Sequence, residues 1–243
     1  MSVLKPPQQL PLAIQLRDDF DFKSFSFAQL NNELEKSLKH WMVGEGEPFI
    51  YIWSPETVGK THLLQAITQD LSEKKRQVCY IPMRDFINYP VEALDGLEEF
   101  DFICVDDVQF LAGEKKWQQA IFHFFNRLMS LKSRLIITGD KPPTELVLTL
   151  ADLKTRLSSG LIFPVKDLND DEKKAVFKHR AQLRGFDLPD DCADYIFNRI
   201  PRNMSALIRF LDRLDKSSLV EKRKLTIPFI KKVLDNDKAK VND

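Results

Sequence analysis

Phe49-Ile-Tyr-Ile-Trp53 runs directly into Ser54-Pro-Glu-Thr-Val58-Gly59-Lys60-Thr61, and His62-Leu-Leu-Gln-Ala-Ile67 follows. An apolar run of strand length thus breaks into a short loop, and a helical pattern begins at the end of that loop. Strand, loop and helix in this order are the context of a phosphate-binding P-loop. Backbone N–H groups of the loop and the helix start face the phosphates, Lys60 reaches the β/γ oxygens, and the Thr61 hydroxyl completes Mg²⁺ coordination. The expected nucleotide contacts here are Ser54, Val58, Gly59, Lys60, Thr61 and His62. Ser54 stands where the full pattern has its first glycine, so the turn of the loop is expected to differ.

Phe102-Ile-Cys-Val-Asp106-Asp107 follows the loop by the length of one βαβ step. An apolar strand that ends in acids beside the phosphates is the Walker B arrangement. Asp106 would hold Mg²⁺ together with Thr61, and Asp107 would polarise the attacking water. Taken alone, the pair reads as a surface turn after a buried strand; the preceding Gly59-Lys60-Thr61 gives it a second meaning. The next strand ends in Thr138-Gly139-Asp140, where Asp140 could sense a γ-phosphate, although Gly-Asp before Lys-Pro-Pro is also strong turn chemistry. Arg156, in Leu153-Lys-Thr-Arg-Leu-Ser-Ser-Gly160, precedes the last strand. It can be a solvated loop arginine or a finger offered to a neighbouring subunit's nucleotide.

Composition narrows the classes. With 243 residues, 43% of them apolar, the chain can bury a large core. Lys+Arg and Asp+Glu both number 36, so the net charge is zero. Domains that wrap nucleic acid carry a basic excess, so that role is disfavoured. No apolar run approaches membrane-spanning length, and Met-Ser-Val-Leu-Lys-Pro-Pro lacks the core of a signal peptide. Cys79, Cys104 and Cys192 show no paired spacing, which fits a reducing, cytoplasmic setting and excludes a zinc ribbon. The four histidines form no ligand pair.

Strands are expected at Phe49–Trp53, Val78–Ile81, Phe102–Val105, Leu135–Ile137 and Leu161–Phe163, alternating with helices. That is the pattern of a five-stranded parallel α/β sheet. Beyond Asp167 the strand texture stops and about four helices follow: from a capping box at Asn169 and Glu172 to Gly185, then Asp190–Arg199, Asn203–Ser217 and Ile227–Leu234. The expected divisions are an extended tail at 1–22, a nucleotide-binding base at 23–166, a helical lid at 167–234 and a polar tail at 235–243. In the first tail, Gln9-Leu10-Pro-Leu12-Ala-Ile14 alternates apolar and small residues. It reads either as a functionless tail or as a peptide that docks in a partner's groove.

Together, the P-loop, Val105-Asp-Asp-Val-Gln-Phe-Leu111, the strand-tip Asp140, Arg156-Leu157 and the helical lid resemble the AAA+ module of the bacterial replication initiator DnaA, over about residues 20 to 234. Leu183-Arg-Gly-Phe-Asp-Leu-Pro189 and Arg223-Lys-Leu-Thr-Ile-Pro-Phe-Ile-Lys-Lys-Val-Leu234 are similar to the Hda family of DnaA-homologous regulators. This resemblance implies an α/β P-loop AAA+ fold with bound ADP or ATP and Mg²⁺. Phe22, Phe25 and Asn31 would cover the adenine, Asp140 would be the first sensor, and Arg156 would act in trans on ATP held by DnaA. Gln9, Leu10, Leu12 and Ile14 would dock on the β sliding clamp of DNA polymerase III, so that DNA is reached only through the clamp, with self-association also allowed. The implied role is negative regulation of replication initiation by stimulating hydrolysis of DnaA-bound ATP, with weak or no turnover of the protein's own.

Where the initiator has its second sensor arginine, this chain reads Ser205; Arg202 and Arg209 are the nearest cations, and Arg209 is the expected nucleotide contact. Two other functions compete. One is a self-sufficient AAA+ ATPase, which Ser205 disfavours. The other is a helicase-loader-like protein on single-stranded DNA, which zero net charge disfavours.

Overall fold

The computed structural model describes residues 32–55, 59–166, 168–221 and 225–240. Five parallel strands form one sheet: β1 (Phe49–Trp53), β2 (Val78–Pro82), β3 (Phe102–Asp106), β4 (Arg134–Gly139) and β5 (Leu161–Pro164), in the order β2-β3-β4-β1-β5. The helices of this part are α1 (Asn32–Val43), α2 (Lys60–Glu73), the one-turn α3 (Met83–Phe86), α4 (Lys115–Leu131) and α5 (Ala151–Leu157). Strand order decides the position of the site. β4 runs between β1 and β3, so the ends of the P-loop strand and the acidic strand flank a third strand tip.

The sheet is covered on both faces, which is why its strands read as unbroken apolar runs. Side chains alternate across a strand. Phe49, Tyr51, Ile103, Val105, Leu135 and Ile137 pack on one side with α4 and α5 residues such as Ile121, Phe124 and Leu153. Ile50, Ile52, Phe102, Cys104 and Ile136 pack on the other with Leu34, Leu38 and Trp41 of α1 and Leu63, Leu64 and Ile67 of α2. Trp117, Ile121, Phe124 and Leu128 form the buried stripe of α4, as their spacing predicts.

Four further helices, α6 (Asp170–Leu183), α7 (Asp190–Phe197), α8 (Met204–Glu221) and α9 (Ile227–Lys240), enclose a separate apolar cluster that includes Phe177, Ile196, Leu207, Phe210, Leu211 and Ile230. The expected capping box opens α6: the Asn169 side chain accepts from the Glu172 N–H, and the Glu172 carboxylate accepts from the Asn169 N–H. Gly185, at φ +78°, follows the end of that helix. The Asn203 side chain accepts from the Ala206 N–H at 2.8 Å and so starts α8. The last helix continues to Lys240, past the Leu234 at which the apolar stripe gives out. Periodicity marks where a helix is buried, and a helix can run on beyond its buried face.

At one position the seam between β1 and β5 admits no side chain. A Cβ on Gly160 would lie 2.4 Å from the Phe49 carbonyl oxygen and 2.5 Å from its ring. Overpacking of this kind costs about 2 kcal/mol. Gly160→Ala should therefore lower the denaturation midpoint by a matching amount in urea unfolding, and an unchanged midpoint would show that the seam can open.

Candidate nucleotide site

Gly59, at φ +93°, adopts a left-handed conformation that an L side chain rarely takes, and α2 begins at the next residue. Its carbonyl accepts the first bond of the helix, from the Leu63 N–H at 2.9 Å. The orphan N–H groups of that first turn face outward from the helix end, as a phosphate cradle requires. Lys60 is buried, and its Nζ donates to the Ser54 carbonyl oxygen at 2.9 Å. Burial lowers its pKa below the ordinary lysine value, offset in part by Asp107, Asp106 and Asp140. Ser54, at the position of the missing first glycine, is itself fully buried and donates its N–H to the Gly139 carbonyl at 3.3 Å. The backbone of Ser54 therefore does two tasks, and neither needs a particular side chain.

Asp106 ends β3 and is 2% exposed. Tyr80 donates its hydroxyl to Oδ2 at 2.8 Å, and Thr138 donates its own to Oδ1 at 2.5 Å. The Thr61 hydroxyl also hydrogen-bonds this carboxylate. Burial holds the Asp106 pKa above the usual carboxylate range and Asp107 adds to this, against the three hydroxyl donors. Asp107 takes a left-handed turn at φ +61°, donates its N–H to Thr138 Oγ1 at 2.9 Å, and accepts from Gln109 Nε2 at 2.9 Å. Lysine, threonine hydroxyl and two acids thus converge at the carboxyl edge of β1 and β3, an arrangement that fits a phosphate chain with Mg²⁺ held by Thr61 and Asp106. A bound Mg²⁺ would supply Lewis acidity there; the protein residues fix its ligands and the position of Lys60.

Asp140 lies just past β4. Its Oδ1 is buried and makes no hydrogen bond among the described residues, while its charge acts on Lys60 and on Tyr51. Tyr51 donates its hydroxyl to the Lys141 carbonyl at 2.8 Å, with its pKa raised above the tyrosine range by burial and then by Asp140. Gly139 makes room for that hydroxyl, since a Cβ there would lie 2.0 Å from it. The strand tip is therefore a fitted joint as well as a turn.

On the lid side, the Arg180 guanidinium of α6 meets the His62 ring, with Nη2 at 2.7 Å from Nδ1 and 2.5 Å from Nε2. Arg180 is 8% exposed. Arg202 pairs with Asp170, and Arg209 is exposed on α8. Arg156 is exposed in the last turn of α5, where its carbonyl accepts from Ser159, and its guanidinium forms no ion pair among the described residues. Val58, the residues Phe22, Phe25 and Asn31 expected to cover the adenine, and the expected docking residues Gln9, Leu10, Leu12 and Ile14 lie outside the described residues. Sequence reading missed Tyr80, Thr138 and Arg180. A polar Thr138 after the apolar run Leu135–Ile137 was a signal for the second of these; nothing local marked the other two.

The P-loop, acidic strand tip, five-strand order and helical lid define an AAA+ protein. The model of the bacterial DnaA ATPase domain matches residues 16–164, and the model of the Hda lid domain matches residues 170–234. The chain belongs to the bacterial DnaA ATPase-domain family, with a lid of the Hda type. Among solved structures, domain III of Thermotoga maritima DnaA is similar at TM-score 0.74 and 23% identity, covering 90% of this chain and 97% of that one. A DnaA bound to AMPPCP and single-stranded DNA is similar at TM-score 0.69 and 24% identity, covering 82% of this chain and 65% of that one. The Thermotoga maritima Holliday-junction motor RuvB shares the fold at TM-score 0.65 and 16% identity, covering 90% of this chain and 72% of that one. No helix among the described residues is long and apolar enough to cross a membrane.

His62 yields a pH prediction. Burial, and then the adjacent Arg180, push its pKa from 6.5 down to about 2. The unfolded chain binds a proton below 6.5 that the folded chain refuses, so stability is present above that value and lost as the pH falls. Between pH 7 and 5 the wild type should lose about 2 kcal/mol more than His62→Gln in denaturant titrations. Equal losses would place a charged imidazole in the folded protein.

Proposed function

We propose that this protein is an adenine-nucleotide-bound AAA+ regulator that restrains replication initiation by promoting hydrolysis of ATP held by DnaA. What supports this reading is a Walker-type cluster around Lys60 and Asp106 together with an exposed arginine, Arg156, which in this reading is offered to another subunit's nucleotide. Family membership and an Hda-type lid support the choice of DnaA as that subunit. The AMPPCP bound by similar DnaA structures supports an adenine nucleotide, ADP or ATP with Mg²⁺, at this site. In this reading residues 1–22 carry the clamp-docking peptide, 23–166 the base, 167–234 the lid and 235–243 a polar tail. Asp107 and Asp140 complete the site as water-polarising and sensing groups. Working on clamp-loaded DNA, the protein meets DNA through the sliding clamp.

One neighbour is bound to single-stranded DNA, which favours a second reading of direct DNA contact. Equal numbers of cationic and anionic residues, 36 each, give that reading little electrostatic support.

The test is hydrolysis of DnaA-bound ATP on clamp-loaded DNA, with and without this protein. The wild type should accelerate it, and Arg156→Ala should bind DnaA yet lose most of that acceleration, since fingers of this kind contribute about 10³-fold or more. Replacing Gln9 and Leu10 by Ala should abolish clamp binding with Arg156 intact. Full stimulation by Arg156→Ala would place the finger elsewhere, and stimulation by the wild type without clamp or tail would remove the docking step.

A further inference from the structure

Gln118 is a polar residue beside the apolar stripe of α4, and it is wholly buried. A side-chain amide removed from water costs free energy unless its polar atoms are bonded, and here both are. Its Oε1 accepts from the Thr149 N–H at 2.9 Å, from the Leu150 N–H at 3.0 Å and from the Thr149 hydroxyl at 3.1 Å. Its Nε2 donates to the Leu111 carbonyl at 2.8 Å. The two ends of one amide thus hold different parts of the chain. Leu111 closes the 3₁₀ turn Val108–Leu111, which starts directly after Asp107. Leu150 is the residue before α5, and α5 carries Arg156 in its last turn.

We propose that Gln118 is a positioning residue for Arg156. It sets α5 in register with the turn behind the acidic pair, so that the guanidinium is presented to the partner's nucleotide from a fixed place. This rests on the reading of Arg156 as a finger and adds the residue through which the finger's place is set. Three physical points support it. First, no side chain of its own sequence caps α5; its entry is held by an acceptor that belongs to α4. Second, the packing of α5 is apolar, through Leu153 and Leu157. Hydrophobic contact has no direction, so it holds a short helix down without fixing how far it slides or turns. Three hydrogen bonds to one oxygen do fix it. Third, Arg156 stands six residues beyond Leu150, about 9 Å along the helix, so a tilt at the start of α5 is carried to the guanidinium. A catalytic group displaced by about 1 Å can lose about 10²-fold in rate.

The test is hydrolysis of DnaA-bound ATP on clamp-loaded DNA, followed over a range of concentrations of this protein, with ADP titration as the check on folding. Gln118→Met keeps the length of the side chain and removes both polar ends. Its maximal stimulated rate should fall about tenfold or more, while the concentration giving half the effect and the ADP affinity stay near wild type. A merely structural role would do the reverse: fewer folded molecules would raise that concentration and spare the maximal rate. Gln118→Asn, which withdraws the amide by one carbon, should behave like Gln118→Met and serves in its place if that variant does not fold. Gln118→Glu retains oxygen acceptors for Thr149 and Leu150 and should recover most of the rate. A wild-type maximal rate in both Gln118→Met and Gln118→Asn, a loss seen only in the half-effect concentration, or no recovery in Gln118→Glu would each overturn the proposal and leave the finger reading standing. Full stimulation by Arg156→Ala, assayed alongside, would overturn both.

Discussion

The Thr138 hydroxyl holds the candidate site together. It donates to Asp106 and accepts from the Asp107 N–H, so one side chain at the tip of β4 joins the end of β3 to its neighbour. On the other side of β4, Ser54 at the end of β1 donates to Gly139, and Lys60 folds back on the Ser54 carbonyl. The lysine follows β1 through the loop and the acids stand at the end of β3; these two strands do not pair with each other, and β4 is the spacer between them. Placing a buried carboxylate at that edge is costly; three hydroxyl donors offset the cost without neutralising it, and the Asp106 pKa stays raised. A divalent cation at that carboxylate would relieve the remainder.

How much of this was legible in the sequence follows from the length scale of each signal. The strands are visible because both sheet faces are buried, which leaves Phe49–Trp53 and Phe102–Val105 with no polar residue. The order of acid after strand, and of Gly-Lys-Thr before helix, is local chemistry and survives in the sequence. Strand order is a long-range fact. Nothing around Tyr80 indicates that its hydroxyl will meet Asp106, because that contact needs β2 to lie beside β3. Arg180 is the sharpest instance. Within α6 it reads as one cation among many on a weakly amphipathic helix, and it acquires a meaning only when the lid packs on α2. Near Ser205 the sequence offers Arg202 and Arg209 as lid cations; the first is paired within the lid and the second faces solvent.

The two halves of the molecule thus have separate cores and a polar contact in common. The sheet clusters and the lid cluster do not share residues, so the angle between base and lid can respond to what binds between them.

The proposed role depends on a nucleotide seated at the first turn of α2. Hydrogen exchange followed with and without ADP and Mg²⁺ locates that event directly. Slowed exchange is expected for amides at residues 59–64 and at the ends of β1 and β3, with the far end of the sheet unchanged. Protection confined to the groove between Glu98, His123 and Arg127, or no change at the start of α2, would contradict it.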